Sequence, residues 1–147
     1  MRNSKTNSAM EERFYYCESC GNLAFMALAS GITPYCCNIE MTKLKANTVD
    51  ASKEKHVPVV EFLSDKEIKV RIGSESHPMT DKHGIRFICL ETDKGGIIRY
   101  LCNDHAPEVC IRFNGKPIAV YAYCNLHGLW GTKLDCDTKC TCTQHQG

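Results

Sequence analysis

The stretch Glu67–Ile72 limits what this chain can fold into. Ile68, Val70 and Ile72 alternate with Glu67, Lys69 and Arg71. A period of two places the apolar side chains on one face and the charged ones on the other, which is the pattern of a half-buried strand. Further apolar runs recur at 56–63, 85–91, 97–102, 109–113 and 118–123. Turn residues separate them. Ser64-Asp65 closes the first run, and Asp93-Lys94-Gly95-Gly96 and Asn114-Gly115 follow later. Asn-Gly is a hairpin signal, because both residues tolerate positive φ. Residues 73–84 form a polar loop, and no segment sustains a helical period. Six or seven short strands in about ninety residues predict an antiparallel β-sandwich.

The chain has 147 residues and a formal net charge of +1. That length suits one or two small domains. The charge argues against nucleic acid as the main partner, since phosphate binding needs a basic surface. No apolar run approaches the length of a membrane span. Residues 1–12 are polar, lack the apolar core of an export signal and are expected to be disordered. The expected location is the cytoplasm.

Eleven cysteines are many for such a chain, and the number is odd. With no export signal in view they read as metal ligands and free thiols rather than a disulfide framework. Cys17-Glu18-Ser19-Cys20-Gly21 is followed by Cys36-Cys37, with fifteen residues between Cys20 and Cys36. The segment around them is too small to bury much surface, and a metal would supply the missing stability. Four thiolates suit tetrahedral zinc or iron. Neighbouring residues of an extended chain point to opposite faces, so the backbone is expected to bend at Cys36-Cys37 and distort the tetrahedron. Cys89, Cys102 and Cys110 fall in predicted strands and are expected to be buried and small. Residues 46–55 read as a linker and an opening strand. The tail, 135–147, carries Cys136, Cys140, Cys142 and His145 with nothing apolar to anchor it, and is expected to be flexible.

Near the end of the last strand run lies Tyr123-Cys124-Asn125-Leu126-His127-Gly128. In a tight turn this spacing aims a thiol and an imidazole at one point. His56, His77 and His83 stand upstream at strand ends and in loops, where side chains from several strands converge. One thiolate and four imidazoles make a metal-ligand set. His105 and His145 have no comparable placement. The residues alone leave open a non-catalytic zinc- or iron-binding β-sandwich protein.

Glu54-Lys55-His56-Val57-Pro58-Val59, Ser76-His77-Pro78-Met79, Asp81-Lys82-His83, Ala106-Pro107-Glu108 and the Tyr123 to Gly128 motif resemble the superoxide reductases. With Cys17, Cys20, Cys36 and Cys37 added, the chain resembles desulfoferrodoxin, the two-iron form with a desulforedoxin-like first domain. The resemblance runs from about residue 14 to about residue 132. It implies a four-cysteine iron domain at 13–47 and an immunoglobulin-like sandwich at 48–134, between the disordered tail expected at 1–12 and the flexible tail expected at 135–147. It also implies that His56, His77, His83 and His127 are equatorial ligands of an iron whose axial ligand is Cys124. Lys55 and Glu54 would stand beside the open position, and Cys17, Cys20, Cys36 and Cys37 would hold a second, rubredoxin-like iron. The implied reaction is the one-electron reduction of superoxide to hydrogen peroxide. The implied partners are a rubredoxin-type donor and a second copy of the chain. Lys53, Lys55 and Lys82 flank His56 and His83, so local charge can attract an anion although the net charge is small. The tail after Lys133 lies outside the family pattern.

Overall fold

The computed structural model describes residues 10–49, 51, 53–74 and 77–134. Cys136, Cys140, Cys142 and His145 lie outside the described residues. A short 3-10 turn, Met10–Arg13, leads into β1 (Phe14–Tyr16). Then come β2 (Leu23–Phe25), β3 (Tyr35–Cys36), β4 (Ile39–Glu40) and β5 (Thr42–Lys43). They make two small antiparallel sheets, β2-β1-β5 and β3-β4. A single helical turn, α1 (Lys53–His56), opens the second part. Seven strands follow: β6 (Pro58–Ser64), β7 (Glu67–Ile72), β8 (Ile85–Thr92), β9 (Gly95–Tyr100), β10 (Glu108–Arg112), β11 (Pro117–Cys124) and β12 (Gly128–Lys133).

The seven strands form a three-stranded sheet, β10-β7-β6, and a four-stranded sheet, β12-β11-β8-β9, all antiparallel. The expected sandwich is therefore present. Its core joins Ile68, Val70 and Ile72 of β7 to Ile88 and Leu90 of β8 and Val120, Ala122 and Cys124 of β11. The alternation in β7 holds, with its three apolar residues fully buried.

β8 and β11 break the alternation, because the four-stranded sheet is covered on both faces. Phe87 and Cys89 of β8 and Ala119 and Tyr121 of β11 face away from the sandwich, toward Met10 and Phe14. Phe14 packs on Phe25, Phe87 and Tyr121 with ring centroids 5.2, 6.0 and 6.1 Å away. The small first domain thus shares a core with the outer face of the sandwich. A second, smaller cluster of Tyr15, Cys17 and Met41 lies beneath the cysteines.

Several local expectations change. Met10 is buried and its N–H donates to the Glu91 carboxylate at 3.3 Å, so the end of the segment expected to be disordered is packed against the sheet. The predicted opening strand before His56 is α1 instead, and the linker is stitched down. The Asn47 amide donates to the Gly131 carbonyl at 3.1 Å and accepts from the Gly131 N–H at 2.9 Å. Gly131 is required there, since an added Cβ would fall 2.7 Å from Cδ1 of Tyr121. Asn114-Gly115 does not join a hairpin: β10 pairs with β7 while β11 pairs with β8 and β12. The turn instead carries the chain from one sheet to the other. Cys89 is buried as expected, whereas Cys102 and Cys110 are exposed. Cys102 lies beyond the end of β9, and the Cys110 side of β10 faces solvent. No helix among the described residues is long and apolar enough to cross a membrane.

Candidate metal centres

Cys17 follows β1, Cys20 lies in the next turn, and Cys36 and Cys37 sit at the β3-β4 turn. Their four sulfurs all lie within 4.8 Å of one another. Cys20 Sγ is 3.7 Å from Cys36 Sγ, and Cys36 Sγ is 4.0 Å from Cys37 Sγ. A tetrahedron of thiolates at a metal–sulfur distance of roughly 2.3 Å has edges of about 3.8 Å. The expected bend is found: Cys37 has φ 56° and Asn38 has φ 64°. The left-handed step swings two adjacent thiols to one side, at a cost in backbone strain. The Cys20 N–H donates to Cys17 Sγ at 3.5 Å, and Asn22 Nδ2 donates to Cys36 Sγ at 3.6 Å. The backbone N–H of Cys20 brings the Cys17 thiol down to about 7. The Cys20 and Cys17 sulfurs push Cys36 up to about 12, and Cys37 is raised mainly by Cys20. Thiols this close resist ionising together. A cation that removes the repulsion deprotonates the set.

The second centre draws on three places in the chain. α1 supplies His56, the loop before β8 supplies His77 and His83, and the turn between β11 and β12 supplies Cys124 and His127. Their rings form a square. Going round it, centroids are 4.6 Å apart for His56 and His77, 4.7 Å for His77 and His83, 5.0 Å for His83 and His127, and 4.8 Å for His127 and His56. Across the square, His56 and His83 are 6.1 Å apart. Neighbouring rings stand at 76–89° to one another, so each presents an edge to the centre. His127 Nδ1 and His56 Nε2 are 3.1 Å apart. Two nitrogens at right angles around a metal at roughly 2.1 Å are separated by about 3.0 Å.

Two ring nitrogens are candidate ligand atoms. His77 Nδ1 lies 2.6 Å from the Pro78 carbonyl, which only accepts, so Nδ1 carries the proton and Nε2 a bare lone pair. His77 Nε2 and His83 Nε2 are both buried and have no hydrogen-bond partner among the described residues. Burial lowers the His77 pKa to about 4, and burial with the neighbouring His127 and His56 lowers that of His83. Both rings therefore stay neutral, as ligation requires. Cys124 is fully buried and its ligand atom falls within 4.8 Å of those of His56, His83 and His127. His77 stands just outside that four-atom group, and joins it through its ring contacts with His56 and His83.

The thiol of Cys124 is raised by burial and pulled back by the N–H groups of Leu126 and His127 and by the charge of Arg86. The His127 N–H lies 3.4 Å from Sγ. Gly128, at φ 83°, lets the chain turn into β12 straight after His127. Asn125 clamps the facing loop: its Nδ2 donates to the Asp81 carbonyl at 3.1 Å, and its Oδ1 accepts from the Gly84 N–H at 2.9 Å. The two centres meet through aromatic residues. Tyr16, just before Cys17, packs on Tyr123, just before Cys124, at 6.5 Å.

Comparison with known proteins agrees with this geometry. The family model described as Desulfoferrodoxin matches residues 48–133. The chain belongs to the desulfoferrodoxin family. Desulfoferrodoxin of Syntrophotalea carbinolica is 42% identical over 119 residues, covering 81% of this chain and 94% of its own length. Desulfoferrodoxin of Nitratidesulfovibrio vulgaris is 39% identical over 116 residues, covering 79% and 91%. Among solved structures, the superoxide reductase from Treponema pallidum superposes with a TM-score of 0.67 at 37% identity, covering 82% of this chain and 99% of that one.

As in the sequence reading, the four cysteines meet at one place and the four histidines with Cys124 at another. Lys55 is exposed on α1, and its charge contributes to lowering the His83 pKa, which places it within electrostatic reach of the square. Glu54 belongs to the same turn, but its side chain lies outside what is described. Sequence reasoning missed Trp130. This fully buried ring stacks on His56 at 4.8 Å and 24°, and its Nε1 donates to the His127 carbonyl at 3.1 Å. Its position three residues after His127, as the single tryptophan, was the available signal.

Proposed function

We propose that the chain is a superoxide reductase, taking superoxide, one electron and two protons to hydrogen peroxide. The square of four imidazoles gathered with the Cys124 thiol supports this reading most. A structural zinc site closes with four ligands, and common non-haem oxygenases use two histidines and a carboxylate. Iron held by His56, His77, His83, His127 and Cys124 would cycle between ferrous and ferric and supply the electron. Cys124 would hold the iron through its sulfur, alongside the imidazoles. The N–H groups of Leu126 and His127 and the charge of Arg86 favour its thiolate form, whose electron density strengthens electron donation.

Lys55 draws the anion toward the square. Glu54, its neighbour in the chain, is the carboxylate we assign to the same site. The four cysteines would hold the second iron, and an external rubredoxin-type protein would supply electrons. The small domain exposes Leu28, Ile32, Tyr35 and Ile39, which supports pairing with a second copy of the chain.

Metal content and product yield test the reading together. The expected result is two irons per chain, peroxide formed under reducing conditions and no oxygen evolved. Oxygen evolution would mean dismutation, and stoichiometric zinc without superoxide consumption would mean a binding protein. A Cys124→Ser variant that stays iron-loaded and reacts as fast as the wild type would refute the role of its sulfur.

A further inference from the structure

A third group of donors lies in the loop between β9 and β10. Cys102, Asp104 and His105 each present one ligand atom, and the three atoms fall within 4.8 Å of one another. All three residues are exposed. Thiolate, carboxylate and imidazole together suit a borderline divalent cation, whereas magnesium and calcium prefer oxygen alone. Three protein donors with the remaining place open to water is the arrangement of open zinc sites.

The loop is held rather than loose. The Leu101 N–H donates to the Arg86 carbonyl at 3.1 Å, and the Pro107 carbonyl accepts from the Ile72 N–H at 3.0 Å. Within it, the His105 N–H reaches the Cys102 carbonyl at 3.4 Å. Asn103 is gripped from two sides. Arg86 Nη1 donates to its Oδ1 at 3.1 Å, and its Nδ2 donates to Asp81 Oδ1 at 2.6 Å. With Asn103 anchored into the protein, its neighbours on either side are left at the surface with their donor atoms clustered. Pre-organisation of this kind reduces the ordering cost of binding.

We infer that Cys102, Asp104 and His105 form a third metal site, one that takes a zinc-like divalent cation from solution. It is separate from the proposed reductase chemistry and does not depend on it. Asp81 belongs to the loop that carries His77 and His83, so Asn103 also ties this site to that loop.

Cobalt(II) is the probe, because its thiolate complexes show a near-ultraviolet charge-transfer band. The full iron-loaded chain is titrated without air while released iron is measured. The expected result is one added cobalt per chain with that band and no iron release. Cys102→Ser should abolish the band, and Asp104→Asn and His105→Gln should each weaken binding at least tenfold. All three positions are exposed, so unchanged iron content and circular dichroism check that the variants fold. The inference fails if the wild type takes up no further cobalt, or takes it up only by displacing iron. It also fails if uptake survives Cys102→Ser, which would assign the cation to the Cys136, Cys140, Cys142 and His145 tail or to adventitious binding only.

Discussion

Replacing Trp130 with phenylalanine removes two supports of the histidine square at once. The indole N–H no longer meets the His127 carbonyl, and a buried acceptor left without its donor costs roughly 1–3 kcal/mol. The smaller ring also leaves a gap beside His56. Truncating a buried tryptophan to alanine costs roughly 3–5 kcal/mol, and phenylalanine keeps most of the ring, so the packing loss is about 1 kcal/mol. The metal-free protein should therefore lose about 2–4 kcal/mol. Residues that hold metal ligands in place contribute roughly 10–100-fold to affinity, about 1.4–2.8 kcal/mol more, and this part appears only when metal is bound. Guanidinium unfolding followed by circular dichroism, with and without metal, separates the two parts, and a competition titration gives the affinity directly. Equal affinity in wild type and variant would show that Trp130 is only core, and unchanged metal-free stability would sink the packing argument. In the wild type, filling the centre should quench the single tryptophan, since His56 stacks on it.

Lys55→Ala should slow the encounter with superoxide by roughly two- to threefold at low salt and flatten the salt dependence, because one exposed charge within a Debye length is removed; pulse radiolysis at two ionic strengths measures both, and an unchanged salt slope would rule out steering. In the metal-free protein His77 holds its pKa near 4, below the ordinary 6.5, so the unfolded chain binds a proton that the folded chain refuses between those values. Stability should therefore rise with pH across that window and be lost as pH falls through it, by on the order of 1–3 kcal/mol, and His77→Gln should reduce the slope. Cys20→Ser should remove the metal of the four-cysteine centre but leave that of the histidine square, since Phe14 and Met10 keep the first domain docked on the sandwich. Metal analysis should then fall by one ion per chain, and loss of both would show that the domains fold as one metal-dependent unit.

Both ligand sets were legible as residues. Four cysteines with an adjacent pair, and a Cys-x-x-His with three upstream histidines, point to metals by donor chemistry alone. Six of the seven sandwich strands were legible, because apolar runs bounded by turn residues are a local property; β12 (Gly128–Lys133) was not among the runs read. The reading erred where a partner had to be chosen. Asn114-Gly115 carries the turn chemistry of a hairpin, yet β10 and β11 belong to different sheets, because pairing depends on which strand lies alongside. Cys102 and Cys110 were expected to be buried because they neighbour apolar residues, and one falls past a strand end while the other faces water.

Residue types and spacing determined the strand repertoire, the two donor sets and the left-handed bend at Cys36-Cys37, all consequences of neighbours in the chain. Tertiary structure alone decided that one sheet is buried on both faces. It decided too that Trp130 backs His56, and that imidazoles from α1, the loop before β8 and the β11-β12 turn stand edge-on in a square. Those features join residues far apart in the chain, 74 positions between His56 and Trp130 and 107 between Phe14 and Tyr121, and packing in space leaves no periodic mark on the sequence between them.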